Sequence, residues 1–308
     1  MNPFVRAIPA PLVRFFARPY VAGDSLREAI EVAADNLEKR GLLTTLDLLA
    51  EGIDTDDIVR SNLDTYLQMV DAVAEDRRFV SISDRPTLSL KQSSYTTAPL
   101  EQGGDGAGAR EAVLEIARHA KSRGVRLTVD MESSDWTDFT LETLSQLHSE
   151  GHDHVGAVIQ TRLHRSEADL DALPPNCRVR LVIGIYQEPS DRAVSDKTEM
   201  KERLLRFART LLERGHYVEL GTHDENYVRR FIDEVVPAVG VDTDCYEVQL
   251  LYGVPREKLL NELRERGIKT RLYVPFAIGW SMAIAYLRRR LDEYPAMMFL
   301  VAKNMLRL

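Results

Sequence analysis

The feature that most constrains the fold of this chain is a regular alternation of short apolar runs and longer amphipathic stretches. Eight runs of strand length are each followed by a stretch whose apolar residues have helical spacing. The runs are continuously apolar, which is typical of strands in a parallel sheet whose outer face is covered by helices. The predicted strands lie at residues 42–50, 87–91, 125–130, 155–160, 179–186, 216–220, 246–251 and 270–274.

Alternation of this kind indicates an α/β fold, and eight units favour a closed sheet over an open one. No G-x-G-x-x-G motif follows the first strand, as a doubly wound dinucleotide-binding sheet would require. We therefore predict a (β/α)8 TIM-type barrel with additional N-terminal helices, of which residues 24–40 form one. Ser166-Glu-Ala-Asp169 has the pattern of a capping box at the start of a helix. The other predicted helices cover about 56–75, 109–122, 139–149, 197–214, 226–236, 255–265 and a last one from Trp280.

The first 23 residues differ in composition from the rest of the chain. They contain three arginines and four prolines but no acidic residue. A mitochondrial transit peptide is also rich in arginine and poor in acids, but it is rich in serine, and this stretch is not. We interpret residues 1–23 as an ordered lead-in and residues 24–308 as a single catalytic barrel, with organellar targeting as the alternative.

Composition argues against several classes of function. The formal net charge is −8 and no basic segment stands out, which disfavours a general nucleic-acid-binding protein. Cys177 and Cys245 have no spacing typical of a metal site or a disulfide framework, so we expect neither, and we expect reduced thiols in a cytosol-like compartment. No apolar run approaches the ~20 residues that a membrane-spanning helix needs.

Polar side chains follow nearly every predicted strand at its carboxyl end, where a barrel of this type builds its active site. Buried charges are costly unless they are paired or used, so this ring predicts a polar pocket. The opposite charges of Lys91 and Asp130, on neighbouring strands, predict an ion pair. Asp47 is interpreted equally well as a group that satisfies the backbone inside the barrel. The ring consists of Asp47, Lys91, Asp130, Glu132, Gln160, Arg162, Arg180, Tyr186, Thr222, His223, Glu247, Gln249 and Tyr273.

The last predicted helix carries a second group of polar residues. Tyr286, Arg289, Arg290 and Glu293 are spaced i, i+3, i+4 and i+7, so they share one face. A planar guanidinium matches a carboxylate bidentately, so two adjacent arginines would make a clamp for a small carboxylic acid. Taken without context, a solvated basic helix face is the alternative interpretation.

These residues resemble the proline dehydrogenase family of FAD-containing barrels, from about Tyr20 to the end of the chain. No single motif decides the resemblance, but the motifs occur in the family's order and each lies on the expected element. They include GLLTTLDLLAE at 41–51, SLK at 89–91, VDME at 129–132, VIQ at 158–160, RSEADL at 165–170, RLVIGIY at 180–186, GTHD at 221–224, EVQLLYG at 247–253, YVP at 273–275 and YxxRRxxE at 286–293.

The resemblance implies a role for each matching residue. Arg289 and Arg290 would bind the proline carboxylate and Glu293 would steady them. The remaining substrate pocket would consist of Lys91, Asp130, Leu251, Tyr273 and Tyr286. The catalytic residues would be Asp130 and Arg180, with Arg180 near flavin N5. FAD would be held by Met131, Gln160, Arg180, Val182, Ile183, Gly184, Ile185, Thr222 and His223.

The resemblance also implies a reaction and its partners. L-Proline would be oxidised to Δ1-pyrroline-5-carboxylate by hydride transfer from C5 to flavin N5, and the electrons would pass to a quinone. A separate pyrroline-5-carboxylate dehydrogenase would act next, since the sequence shows no second catalytic domain. We expect a cytoplasmic protein with no transmembrane segment, with peripheral contact at the inner membrane left open.

Two alternatives and one departure accompany this interpretation. The barrel could oxidise hydroxyproline or another cyclic amine, although Tyr286 favours proline, since the family has a smaller residue there for hydroxyproline. It could also be a catalytically silent scaffold, which the near-complete polar ring disfavours. The family usually has Lys-Gly-Ala where this chain has Ile183-Gly184-Ile185, so the electrostatics around the flavin are expected to differ.

Overall fold

Eight parallel strands close into a barrel in the order of the sequence. In this computed structural model the residues described are 19–50 and 52–280, together with Pro9, Val13, Ile284 and Arg288. The sheet closes where β1 pairs with β8, from Leu43 opposite Arg271 to Leu48 opposite Phe276. The strands are β1 Leu43–Leu48, β2 Thr87–Leu90, β3 Leu127–Val129, β4 Val155–Gln160, β5 Arg178–Val182, β6 Tyr217–Gly221, β7 Tyr246–Leu251 and β8 Thr270–Phe276. The predicted (β/α)8 barrel is confirmed.

Helices connect successive strands and cover the outer face of the barrel. The helix that precedes β1 begins after Ser25, whose Oγ accepts a hydrogen bond from the Glu28 N–H, and is terminated by Gly41. The described helices are α1 Leu26–Arg40, α2 Asp56–Glu75, α3 Ala109–Arg123, α4 Thr137–Ser149, α5 Ser166–Asp169, α6 Lys197–Glu213, α7 Glu225–Arg230, α8 Val236–Val239 and α9 Glu257–Glu265. In the part of the chain that the structure describes, no helix combines the length and apolarity needed to cross a bilayer.

Three of the differences between predicted and observed elements have a clear physical reason. β5 ends at Val182 rather than 186, because the chain turns through Gly184 with φ of 98°. The helix predicted at 226–236 is divided by a π-helical segment, Phe231–Val235, just before Pro237, which has no N–H to continue the α-helical pattern. Ser166 caps no helix, since its Oγ donates to the Gln160 carbonyl instead and the helix is a single turn.

The core lies between the barrel and the helices, and a smaller apolar cluster lies at the barrel mouth. In α6, Leu204, Phe207, Ala208 and Leu211 are buried. The smaller cluster joins Val13, Val21, Leu49 and Ala277, with Trp280 and Ile284 packed against it. The segment before α1 follows the end of β8, because the Ala22 N–H donates to the Pro275 carbonyl at 2.9 Å. The domain boundary at residue 23 stays a prediction.

This packing makes Gly253, after β7, a sensitive position. Gly253 has φ of 78°, and a Cβ there would overlap the Pro19 carbonyl of the segment before α1. Gly267 has a similar φ of 67°, but a Cβ there would meet no atom within 4 Å, so Gly267→Ala is a matched control. We expect Gly267→Ala to destabilise by about 1–2 kcal/mol from backbone strain. Gly253→Ala should lose a further ~1–3 kcal/mol of stability, because its methyl overlaps the Pro19 carbonyl. Equal decreases in the free energy of unfolding of the two variants, measured in urea, would contradict this explanation.

Candidate active site

Asp130, directly after β3, is the centre of a polar cluster in the barrel mouth. Its Oδ1 accepts hydrogen bonds from Ser89 Oγ and Arg180 Nη1, both at 2.7 Å. Its Oδ2 accepts from the Tyr273 hydroxyl at 2.8 Å. Burial alone would raise the pKa of Asp130, but Lys91 and Arg180 outweigh burial and lower the pKa. The carboxylate therefore stays charged and joins β2, β3, β5 and β8.

Lys91 lies beside Asp130 but is held more closely by another residue. Lys91 Nζ is 2.5 Å from Asp47 Oδ1 and 3.5 Å from Asp130 Oδ2. The expected ion pair with Asp130 is therefore present as the longer of two contacts. Sequence reasoning noticed Asp47 but left its role open, and the available signal was a single aspartate inside the apolar run of β1.

Arg180 is held in place by a layer of buried amide and carboxylate groups on β6 and β7. Its Nε donates to Gln249 Oε1 at 2.7 Å. The Gln249 amide in turn donates to Glu219 Oε2 at 2.8 Å and Glu247 Oε1 at 2.7 Å. Arg271 pairs with Glu247 at 2.5 Å, so the layer contains a cation for that carboxylate. Gln249 was predicted for the polar ring, whereas Glu219 was not, although it is the one acidic residue within β6.

Three buried polar atoms on adjacent strands have no hydrogen-bond partner among the described residues. They are Gln160 Oε1 at the end of β4, Arg180 Nη2 in β5 and His223 Nδ1 after β6. His223 Nε2 accepts from the Leu251 N–H at 3.1 Å, and burial lowers the His223 pKa to about 4, so the ring is neutral with its proton on Nδ1. One acceptor and two donors are thus free in this part of the barrel mouth. Such buried groups require partners, which a bound molecule with a polar edge would supply.

Gly184 packs directly against the free Gln160 oxygen. A Cβ on Gly184 would overlap Gln160 Oε1, and its φ of 98° is one that other residues rarely adopt. The Gln160 amide is held in place because Nε2 donates to the backbone carbonyls of Met131 at 3.0 Å and Glu132 at 2.7 Å. The free atoms of Gln160, Arg180 and His223 fit the polar edge of a flat ring system such as a flavin.

The loop after β5 is tied to β4 by Arg162, which the sequence placed in the polar ring without a role. The Arg162 N–H donates to the Ile183 carbonyl at 3.1 Å. Its guanidinium Nη1 donates to the Tyr186 carbonyl. Arg162 therefore binds the loop that carries Ile183 through both its backbone and its guanidinium.

The structure brings most of the predicted site residues to the same end of the barrel. Asp130, Lys91, Arg180 and Tyr273 form one connected cluster. Met131, Gln160, Val182, Ile183, Gly184 and Ile185 lie at or after the ends of β3 to β5, while Thr222 and His223 follow β6. Leu251 ends β7 and is 49% exposed. Tyr286, Arg289, Arg290 and Glu293 lie outside the described residues, and their roles stay predictions.

Two buried carboxylates of this region have pKa values shifted in opposite directions. Burial raises the pKa of Glu132, although Ser93 opposes the rise by donating hydrogen bonds to it. Burial would also raise the pKa of Glu247, but Arg271 outweighs burial and lowers it. The raised Glu132 contributes stability that is present below the unfolded pKa and lost as pH rises. The depressed Glu247 contributes stability that is present above the unfolded pKa and lost as pH falls.

Isosteric amide variants should therefore respond to pH with opposite signs. Between about pH 4 and 7, spanning the ordinary glutamate pKa, Glu132→Gln should gain stability relative to the parent chain as pH rises. Glu247→Gln should be least stable relative to the parent at neutral pH, with the deficit shrinking as pH falls. Denaturant unfolding at several pH values measures both. Parallel responses of the two variants would contradict the assignment.

Comparison with known proteins identifies the family. Residues 30–299 match the family described as "Proline dehydrogenase". The chain is 36% identical over 298 residues to proline dehydrogenase of Deinococcus radiodurans, covering 94% of this chain and 90% of the relative. It is 30% identical over 297 residues to proline dehydrogenase 1 of Bacillus subtilis strain 168, covering 96% and 92%.

Solved structures with the same fold belong to longer proteins. Proline utilization A from Bdellovibrio bacteriovorus superposes with a TM-score of 0.77 at 20% identity, covering 91% of this chain and 33% of that one. A variant of proline utilization A from Bradyrhizobium japonicum gives 0.72 at 22% identity, covering 93% and 32%. This chain thus spans about a third of those proteins, and the likeness shows the barrel fold. With the family match over most of its length and a relative above one-third identity, the chain belongs to the proline dehydrogenase family.

Proposed function

We propose that this protein is an FAD-dependent proline dehydrogenase that oxidises L-proline to Δ1-pyrroline-5-carboxylate. The observation that carries the proposal is the Asp130 cluster beside the free polar atoms of Gln160, Arg180 and His223. Membership of the family and the names of the relatives support the choice of proline.

The residues with free polar atoms would hold the cofactor. Gln160 Oε1, Arg180 Nη2 and His223 Nδ1 offer one acceptor and two donors for the polar edge of the isoalloxazine, and the lack of a side chain at Gly184 leaves room for the Gln160 amide. The other proposed contacts are Met131, Val182, Ile183, Ile185 and Thr222. When bound, FAD supplies the hydride acceptor of the reaction.

The chain's own contribution is to bind and orient the substrate. Arg289 and Arg290, steadied by Glu293, would clamp the proline carboxylate, with Tyr286 and Leu251 beside the ring. The Asp130 carboxylate would face the substrate's ammonium nitrogen and favour its binding by charge. Burial raises the pKa of Tyr273 well above its ordinary value, with Asp130 adding to the rise, so the phenol keeps its proton and its hydrogen bond to Asp130.

Arg180 is the pre-oriented donor of the site. Ser89, Asp130 and Gln249 occupy its Nε and Nη1 groups, which leaves Nη2 free at a fixed position. A donor held in advance stabilises developing negative charge without reorganisation during the reaction. We propose that this is its role beside the flavin.

The proposal extends to electron transfer and to the next reaction. The electrons would pass to a quinone, and a separate pyrroline-5-carboxylate dehydrogenase would consume the product. We place the protein in the cytoplasm with peripheral contact at the inner membrane, since quinones reside in lipid.

Anaerobic reduction of the bound flavin tests the activity directly. We expect the purified protein to carry a flavin absorbance at about 450 nm. L-Proline should bleach it, and hydroxyproline should do so more slowly. Protein with bound flavin that hydroxyproline bleaches faster would indicate the alternative substrate. Protein that never binds flavin, or flavin that no cyclic amine reduces, would contradict the proposal.

Replacing Gly184 tests the cofactor site separately from turnover. Gly184→Ala should lower flavin occupancy at least tenfold, because the added methyl overlaps Gln160 Oε1 and displaces the amide. Flavin content per protein and the fluorescence change on adding FAD measure this without substrate. Gly267→Ala, which adds the same methyl at a positive φ with no atom within 4 Å and lies outside the proposed site, is the control and should retain flavin. Full occupancy in Gly184→Ala would remove this loop from the proposed site.

A further inference from the structure

Two carboxylates flank Lys91, and they lie at different distances from its ammonium group. Lys91 Nζ lies 2.5 Å from Asp47 Oδ1, but 3.5 Å from Asp130 Oδ2. Asp47 is almost fully buried inside β1, with 2% of its surface exposed, so water cannot neutralise its charge. Lys91 is therefore the cation that compensates the charge of Asp47.

Both carboxylate oxygens of Asp130 already accept hydrogen bonds from other side chains. Ser89 and Arg180 bind its Oδ1, and the Tyr273 hydroxyl binds its Oδ2. Arg180 supplies the compensating positive charge at 2.7 Å. The three ion pairs therefore form a chain of alternating charge, Asp47–Lys91–Asp130–Arg180, in which each terminal group contacts only one other member.

We propose that Asp47 is a positioning residue that holds Lys91 in place and thereby leaves Asp130 to Arg180 and Tyr273. The inference rests on the proposed function only for its kinetic test. Without Asp47, Asp130 would be the nearest carboxylate to Lys91, and the ammonium would move toward it. Lys91 would then compete with Arg180, whose free Nη2 is part of the proposed flavin site.

The directions of the pKa shifts of Lys91 and Asp47 agree with their pairing. Burial alone would lower the pKa of Lys91, but Asp47 first and Asp130 second outweigh it and raise the pKa. Burial raises the pKa of Asp47, with Lys91 opposing the rise. Glu132 and Tyr186 are the other titratable groups that influence Lys91.

Chemical labelling of Lys91 tests the pairing without substrate. Cyanate reacts only with the neutral amine, and the Lys91 side chain is 23% exposed. Loss of an opposite charge at this distance lowers a pKa by about one unit or more, so Asp47→Asn should raise the carbamoylation rate of Lys91 about tenfold at pH 9. Asp130→Asn should raise it less. Lys39, exposed on the surface, is the internal standard in the same peptide digest.

A mutant cycle on kcat/KM for L-proline separates positioning from a merely structural role. Asp47→Asn should lower kcat/KM about tenfold or more in the parent enzyme, but no more than about twofold when Lys91 is already methionine. Flavin content is measured in every variant. The same fold loss in both backgrounds, or faster labelling of Lys91 in Asp130→Asn than in Asp47→Asn, would overturn the proposal.

The double variant covers the case in which Asp47→Asn does not fold. Asp47→Asn with Lys91→Met removes both charges together. A folded double variant with the activity of Lys91→Met supports the proposal. An unfolded one overturns it, because Asp47 would then be required for the barrel itself. If the enzyme oxidises no proline at all, the labelling rates still decide the pairing.

Discussion

The ion pair between Asp130 and Arg180 joins two strands of the barrel that are not neighbours and determines the arrangement around it. Both side chains are nearly enclosed, so each requires a partner of opposite charge. Once they are paired, Ser89 and Tyr273 complete the hydrogen bonds of Asp130, and Gln249 binds the Nε group of Arg180. The apolar core outside the strands holds the barrel together, whereas this network determines which groups at its mouth stay free.

The functional consequence of the network is that it holds one free donor, Arg180 Nη2, at a fixed position. Gln249 uses both ends of its amide, accepting from Arg180 and donating to Glu219 and Glu247. A leucine of similar size at that position would remove the hydrogen bonds of Arg180 Nε and Glu219 Oε2, at roughly 1–3 kcal/mol for each buried group, whereas Glu247 would keep Arg271. The buried layer is therefore part of the site even though it lies below the residues proposed to contact substrate or cofactor.

Much of the architecture follows from local pattern in the sequence. The helix predicted at 56–75 has its observed bounds, because Thr55 caps it and the apolar spacing is regular. β4 and β7 also match, since both are short runs with clear ends. The predicted β5 is four residues too long, because apolar residues continue past the point where Gly184 turns the chain. Periodicity does not report backbone torsion, so it misses a turn made within an apolar stretch.

The sequence by itself determined the strand order, the family and most of the polar residues at the barrel mouth, because all of these depend on pattern along the chain. Glu247, predicted for the ring at the carboxyl ends, is instead the second residue of β7. Only the tertiary structure decided which of those residues pair. Lys91 lies 44 residues from Asp47 and close to Asp130 as well, yet the two contacts differ by 1.0 Å, at 2.5 and 3.5 Å. Such a choice depends on side-chain positions set by the packing of the whole barrel, and no spacing in the sequence records it.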